Sequence, residues 1–479
     1  MNRAAPRTVQ RTAVHALLLT LFISTLAPVA SFGQQRSNRT SAGKSGAALP
    51  AFRRDAEVAR MLAEIDARNI ERTIRKLVSF GTRNTLSEQD NPARGIGAAR
   101  DWIYNEFLKM RADSGGRLRV EKQTYKQEKA PRVPQETMIT NLVAWLPGEQ
   151  AESEHRIYVV SGHYDSMCSS PTDEKCDAPG ANDDASGVAA VLEMARVMSK
   201  RKFDASIIFM AVAGEEQSLL GSTYFAQQAK EKSLNVEAML DNDIVGNTLS
   251  MNGVRDRRTL RVFSEGVPTN ETEAEANVRR GVGGENDSAS RQLARFVKQA
   301  GEAYVPGMTV SMVYRRDRYL RGGDHIPFLE RGYPAVRFTE PSENYNHQHQ
   351  NVRIENGVQF GDLPEFVDFG YIAQVARINA ACLATLALAP ALPRNVGLVT
   401  KRLTNDTDLQ WDANSEPDLQ GYEIVWRETT SPVWTNARAV GKVTSYTLAG
   451  MSKDNYFFGV RAVDRDGNRS PVSFPRPVR

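Results

Sequence analysis

The chain opens with an apolar run from Ala13 to Ala30, preceded by Arg3, Arg7 and Arg11 and followed by Ser31, Gly33 and Gln34. A basic flank, an apolar core and a small-residue exit are the three parts of a secretory leader, so residues 1–33 are expected to be a signal peptide. A permanent anchor is the competing reading, because the run approaches the ~18 residues that a span needs. No later segment is expected to come close to the length and hydropathy of a span. Residues 34–50 are small, polar and without periodicity, the composition of a flexible linker or short pro-segment.

Helical spacing begins at Ala56. Val58, Met61, Leu62, Ile65, Ile70, Ile74 and Leu77 predict helix up to Ser79, and a second helix is expected from Gly95 to Met110. Short β-rich runs then alternate with amphipathic helices. Strands are expected at 140–146, 157–161, 206–211, 238–244 and 335–338, and helices at 185–198, 219–230, 288–304 and 366–388. This alternation predicts an α/β domain over 51–390, with a mixed, largely parallel sheet flanked by helices. The stretch 247–287, rich in Gly, Arg, Glu and Asn, is expected to be a surface excursion or a specificity loop beside the site.

Pro390 and Pro393 mark the exit from the last long helix, and the period then falls to two. Trp411, Tyr422, Ile424, Trp426, Tyr446, Leu448, Tyr456, Phe458, Val460 and Ala462 alternate with polar positions, which predicts a small all-β sandwich over 394–479. With the Tyr and Trp of its third strand and the Tyr-x-Phe-x-Val-x-Ala-x-Asp run beginning at Tyr456, this part resembles a fibronectin type III module. The resemblance implies an accessory or binding role, with no partner specified.

Composition narrows the classes. The 479 residues carry a formal net charge of only +4, with no dense basic block interleaved with aromatics, so nucleic acid is not an expected partner. There are three cysteines. Cys168 and Cys176 lie close together in a polar stretch and could bridge in an oxidising compartment, while Cys382 lies in an apolar helical run and is expected to be buried. With the leader, this points to a secreted or periplasmic protein.

Histidine is scarce and gathered. Of six, four lie in short polar motifs, together with paired acids at the ends of expected strands. VVSGHYDSM ends a β run in His163 and Asp165; a carboxylate two residues on can take the second imidazole N–H and fix the tautomer that a metal ligand needs. GANDDASG places Asp183 and Asp184 at a helix start, where a simple cap and a metal ligand are equally good readings. FMAVAGEEQSLLGS ends a buried strand in Glu215 and Glu216, a pair that repels unless a cation or proton neutralises one. AMLDNDIVGN supplies Asp241 and Asp243, and ENYNHQHQN supplies His347 and His349. Imidazoles and carboxylates together are the N/O ligand chemistry of catalytic zinc, and an oxygen-only Mg or Ca site fits worse.

These five motifs, in this order, resemble the co-catalytic two-zinc aminopeptidase family, whose clan includes glutaminyl cyclase. The family pattern stands here as His163-Tyr-Asp165, Asp183-Asp184-Ala-Ser-Gly187, Glu215-Glu216, Asp243-Ile-Val-Gly246 and His347-Gln-His-Gln-Asn351, between about Ala56 and Ala389. The resemblance implies that Asp183 bridges two Zn2+ ions, with Glu216 and His347 on one and His163 and Asp243 on the other. Glu215 would be the general base, and Asp165 would orient His163. Asn351 stands where the family has Asp; spacing favours His347, and His349 is the alternative.

The implied reaction is hydrolysis of N-terminal residues from a peptide or aminoacyl substrate, with two zincs activating water and Glu215 moving the proton. Two rivals remain. GGDHIPFLERGYPAV, with Asp324 and His325, is similar to a stretch of glutaminyl cyclases, which implies a single-zinc cyclotransferase. A catalytically inactive binding protein, working through the sandwich, is the other.

Overall fold

The computed structural model describes residues 47–479. The expected leader and most of the expected linker lie outside the described residues. The linker reading fails at its end: Ala47–Ala48 forms a strand, β1, paired with Ala437 and Asn436, and Leu49 packs against a buried cluster around Trp434. Three helices follow, α1 (Ala56–Ala63), α2 (Ala67–Val78) and α3 (Gly95–Asp113). The helix-periodic stretch from Ala56 to Ser79 is thus two helices. Asp66 starts the second, its side chain accepting from the Arg68 N–H at 2.9 Å, because an Asp that caps competes with continuing the helix.

Next come β2 (Arg119–Gln127), β3 (Thr137–Leu146), β4 (Arg156–His163), α4 (Ala185–Met198), β5 (Ser206–Val212), α5 (Leu220–Glu231) and β6 (Asn235–Asn242). They are followed by β7 (Thr259–Phe263), α6 (Glu273–Val282), α7 (Ala289–Tyr304), β8 (Thr309–Val313), α8 (Ile326–Glu330) and β9 (Ala335–Thr339). A hairpin of β10 (Arg353–Glu355) and β11 (Val358–Phe360) precedes α9 (Phe369–Leu388).

Strands β2 to β9 make one eight-stranded sheet in the order β2-β3-β5-β4-β6-β9-β7-β8. The centre is parallel from β5 through β4 and β6 to β9, β2-β3, β3-β5 and β9-β7 are antiparallel, and the edge pair β7-β8 is parallel. Every residue of β4, β5 and β9 is buried, as expected for strands covered on both faces. One face packs against α1, α2, α4, α7 and α9, and the other against α5 and α8. The expected excursion at 247–287 is partly a core element, since Leu260 and Val262 of β7 are fully buried. Polar flanks and a five-residue length hid it. α9 also corrects an expectation: it is long and apolar enough to cross a membrane. It is instead the buried core helix of the sheet's main face.

The remaining strands, β12 (Gly397–Val399), β13 (Thr407–Gln410), β14 (Leu419–Glu428), β15 (Asn436–Gly441), β16 (Ser445–Leu448), β17 (Tyr456–Asp464) and β18 (Arg476–Val478), form two four-stranded sheets. Their orders are β1-β15-β14-β17 and β16-β13-β12-β18. Trp411, Tyr422, Ile424, Trp426, Leu448, Phe458, Val460 and Ala462 lie between them, the alternating positions read from sequence. The sandwich is fixed to the α/β part by a buried ionic knot. Asp287 accepts from Arg427 and Arg295, and Trp434 Nε1 donates to Gln292 Oε1 at 3.0 Å.

Candidate active site

The parallel strands end at one edge of the sheet, and their carboxyl ends carry the chemistry. His163 is the last residue of β4, and Asp243 follows β6 by one residue. Glu216 lies in the turn after β5, Asp183 in the loop before α4, and His349 in the loop before β10. Among the described residues they form two overlapping trios, His163 with Asp183 and Asp243, and Asp183 with Glu216 and His349. Within each trio one ligand atom per residue lies within 4.8 Å of the others.

Asp183 belongs to both. Its Oδ1 is 3.1 Å from His163 Nε2, and its Oδ2 is 3.0 Å from His349 Nε2. His349 Nε2 is also 3.1 Å from Glu216 Oε1, and His163 Nε2 is 3.8 Å from Asp243 Oδ1. The even choice between cap and ligand at the helix start resolves by division of labour. Asp184 caps α4, accepting from Gly187 N at 2.9 Å and also from His163 N at 3.0 Å and Ile244 N at 3.3 Å. Asp183 is thereby free to face the cluster.

His347, favoured from spacing, is the corrected residue. Its ring stacks on Phe366 with centroids 3.5 Å apart, outside both trios. His349 reaches the cluster because its backbone is left-handed, with φ of 51°, a conformation that turns its side chain inward and that spacing alone does not reveal. Asn351 is not part of the cluster either. Its Oδ1 accepts from Ser169 N and its N–H donates to Ser169 Oγ, both at 3.1 Å, tying the His349 loop to the loop closed by the Cys168–Cys176 disulfide.

Asp165 is placed differently from expectation. The His163 Nδ1 partner at 3.2 Å is the Asp165 backbone carbonyl, with the carboxylate at 3.5 Å. That carboxylate instead accepts from Glu215 N, Glu216 N and Thr85 Oγ1 at 3.1–3.3 Å, holding the turn after β5 against β4. It is a positioning residue. The Nδ1 contact still fixes the tautomer that leaves the Nε2 lone pair facing the cluster.

Several contributors escaped the sequence reading. Arg337 is fully buried in β9 beside β6, and its Nη2 is 2.9 Å from Asp243 Oδ2 while Nη1 holds Asp317 at 3.0 Å. A charged residue inside the apolar run PAVRFTE was the signal, since a buried guanidinium requires a buried acid. Asp362 accepts from Asn182 N and Asp183 N. Buried Arg83 donates to the carbonyls of Tyr164, Pro179 and Gly180, knitting the loops on either side of the disulfide. Gln348 Nε2 donates to Asp183 Oδ2 at 3.1 Å. Asp362 and Arg83 carry no periodic or motif signature, and Gln348 stood only as a spacer in His347-Gln-His-Gln-Asn351.

The donor set fits divalent zinc. His163 Nε2 and Glu216 Oε1 are buried without hydrogen-bond partners, although acceptors or donors lie close by. Each belongs to a different trio and lies against the other ligand atoms of that trio, as ligand lone pairs do. Electrostatics agree. Burial, together with the charges of Glu216 and Asp243, pushes the Glu215 carboxyl well above the usual carboxylate range against the attraction of His163. His163 is raised despite its burial because Asp165, Asp183 and Asp243 surround it. The three carboxylates of the trios, Asp183, Glu216 and Asp243, clustered with two imidazoles call for positive charge, and zinc removes the repulsion.

A profile of "Peptidase family M28" matches residues 141–355, a span that contains every member of the two trios. The chain is 50% identical over 421 residues to a probable zinc metalloprotease of Leptosphaeria maculans, covering 88% of this chain and 97% of that one. It is 48% identical to a probable zinc metalloprotease of Pyricularia oryzae, covering 88% of this chain and 85% of that one. Among solved structures it is similar to an aminopeptidase from Aneurinibacillus sp. strain AM-1, with 16% identity, coverage of 69% and 96%, and a TM-score of 0.49. The chain belongs to peptidase family M28.

Proposed function

We propose that this chain is an extracytoplasmic, two-zinc aminopeptidase that removes N-terminal residues from peptides, with Glu215 as the general base. The observation that carries the reading is Asp183, whose two carboxylate oxygens face two different histidines, one in each trio. His163 and Asp243 would hold one ion and Glu216 and His349 the other, with Asp183 shared. Zinc bound there supplies a Lewis acid for the scissile carbonyl and acidifies a water.

The chain's own residues do the rest. The Asp165 carbonyl keeps the His163 ring in its ligand tautomer. The Arg337 guanidinium takes one oxygen of Asp243 and leaves the other turned towards His163. Glu215 is partly exposed and directly precedes Glu216, so its carboxylate lies beside the ligand set, where it would take a proton from water and pass it to the leaving amine. The relatives named as zinc metalloproteases support the metal, and the Cys168–Cys176 disulfide and the leader-like N-terminus support export. The sandwich reads as a fibronectin type III-like accessory module, with 51–390 as the catalytic part.

Glu215→Gln tests the base. Turnover of aminoacyl amides should fall by about 100-fold or more, the scale of a lost general base, with zinc content unchanged. Retained activity removes Glu215 from the mechanism. A cyclase reading draws on Asp324, which is buried and whose charge is felt by Glu215. Release of pyroglutamyl product from an N-terminal Gln peptide, without cleavage of aminoacyl amides, would put that reading first.

A further inference from the structure

Between β8 and α8 the chain runs Tyr-Arg-Arg-Asp-Arg-Tyr-Leu-Arg-Gly-Gly over residues 314–323, placing four arginines in one short loop. The loop is clamped from below. The Gly322 carbonyl accepts from Arg337 Nη1 at 2.9 Å and Arg318 Nη2 at 3.1 Å, and Arg318 also pairs with buried Asp317. Leu320, with φ of 54°, is left fully exposed at the apex, and the next residue, Arg321, is turned back towards the site.

Arg321 Nη1 is 2.8 Å from Glu343 Oε2 and 3.5 Å from Gln348 Oε1. The same Gln348 amide donates through Nε2 to Asp183 Oδ2. One side-chain amide therefore separates the Arg321 guanidinium from the carboxylate shared by both trios. Glu343, whose side chain is 4% exposed, is the common partner of Arg261, Arg318 and Arg321, with Asp317 a second partner of Arg318, so Arg321 shares its carboxylate with two other guanidiniums. Arg321 keeps 33% of its side chain open to solvent, beside a recess of about 490 Å3 that the loop lines with Ile326.

We propose that Arg321 is a specificity-determining residue that recognises a substrate carboxylate lying about one residue from the scissile bond. This rests on the aminopeptidase reading above. An extended chain advances ~3.3–3.6 Å per residue, so with the scissile carbonyl at the trios such a carboxylate falls within reach of this guanidinium. The planar fork of arginine matches a carboxylate with two parallel hydrogen bonds. Two substrates present that group at that distance: one whose N-terminal residue is acidic, and a dipeptide with a free C-terminal carboxylate.

Matched pairs separate these sources. The zinc-loaded full chain would be assayed on Glu- and Gln-p-nitroanilide, and on Ala-Ala and Ala-Ala-amide, with wild type, Arg321→Ala, Arg321→Gln and Arg321→Lys. Wild type is expected to favour the carboxylate member of one pair by about tenfold or more in kcat/KM, the scale of one charge-assisted contact. Arg321→Ala and Arg321→Gln should bring that ratio to near parity, chiefly through KM, and Arg321→Lys should restore part of it. The neutral member of each pair reports folding and metal loading within the same variant. A wild type that cleaves both members of both pairs equally, or a preference that survives Arg321→Ala, overturns the proposal and leaves the aminopeptidase reading standing. Failure of wild type to cleave any of the four overturns both.

Discussion

Asp287 offers the sharpest test of how the sandwich is held. Its carboxylate accepts from Arg427 Nη2 at 2.7 and 2.9 Å, from Arg295 Nη1 at 3.0 Å and from Gln292 Nε2 at 2.9 Å. Asp287 is fully buried at its side chain, and those of Arg427 and Arg295 are 2% and 4% exposed. Asp287→Ala leaves both guanidiniums buried without a carboxylate. Breaking a buried pair in this way costs ~3–5 kcal/mol, because the remaining charge keeps its desolvation penalty. The stacking of Arg427 over Trp434 and Phe457 survives, so we take the middle of that range. With a urea slope of ~3 kcal/mol/M, ~4 kcal/mol lowers the unfolding midpoint by about 1.3 M. Tryptophan fluorescence is a suitable probe, since Trp434 sits at this junction. The triple replacement Asp287→Leu, Arg295→Met, Arg427→Met removes every charge and should recover most of the loss. A shift below about 0.3 M in the single variant would refute the reasoning, for it would mean that the unpaired charges are rehydrated at little cost.

Three further outcomes follow from the site and its surroundings. His349→Ala should lose about one zinc equivalent per chain and most activity, whereas His347→Ala should retain both ions; the reverse pattern by metal analysis would restore His347 as the ligand. Cys168→Ser with Cys176→Ser frees the loop that braces Asn351, so zinc affinity should fall by about tenfold, as for other supports of metal ligands, and an unchanged affinity would show that the His349 loop is held without it. Asp204, pushed up to about 6 first by burial and then by the charge of Asp418, favours the folded state when protonated. Its contribution is full below the ordinary carboxylate range and is lost as pH rises through about 6, so Asp204→Asn should raise Tm near pH 7 and leave it unchanged near pH 4. An equal gain at both values would show that the effect is not electrostatic.

The strand ends that carry the site were legible because each couples a buried apolar run to an acid or histidine, a costly pattern without a partner. His163, the Glu215–Glu216 pair and the Asp241–Asp243 pair follow from it; Asp183, at a helix start, was an even choice with a cap, and the family resemblance implied it as a ligand. The central helices and strands were legible too, since burial on one face imposes period 3.6 and burial on both imposes a continuous apolar run. β7 was not, because five residues with polar flanks carry too little pattern to separate a strand from a loop. The single helix read over Ala56–Ser79 also failed, because a cap at Asp66 interrupts a period that continues on both sides.

The donor types, their order along the chain and the α/β frame with its β-sandwich are written in the residues, because they depend on side-chain chemistry and on local period. The folded chain places His349 at the cluster in preference to His347, since one left-handed backbone position reverses which side chain reaches it. It alone assigned the Asp165 carboxylate to the backbone of the Glu215–Glu216 turn, and paired Arg337 with Asp243 from a neighbouring strand. It also set Arg321 beside the shared carboxylate through Gln348. Such contacts join residues far apart in the chain, and their partners are chosen by the packing of loops at the sheet edge, which no local pattern encodes.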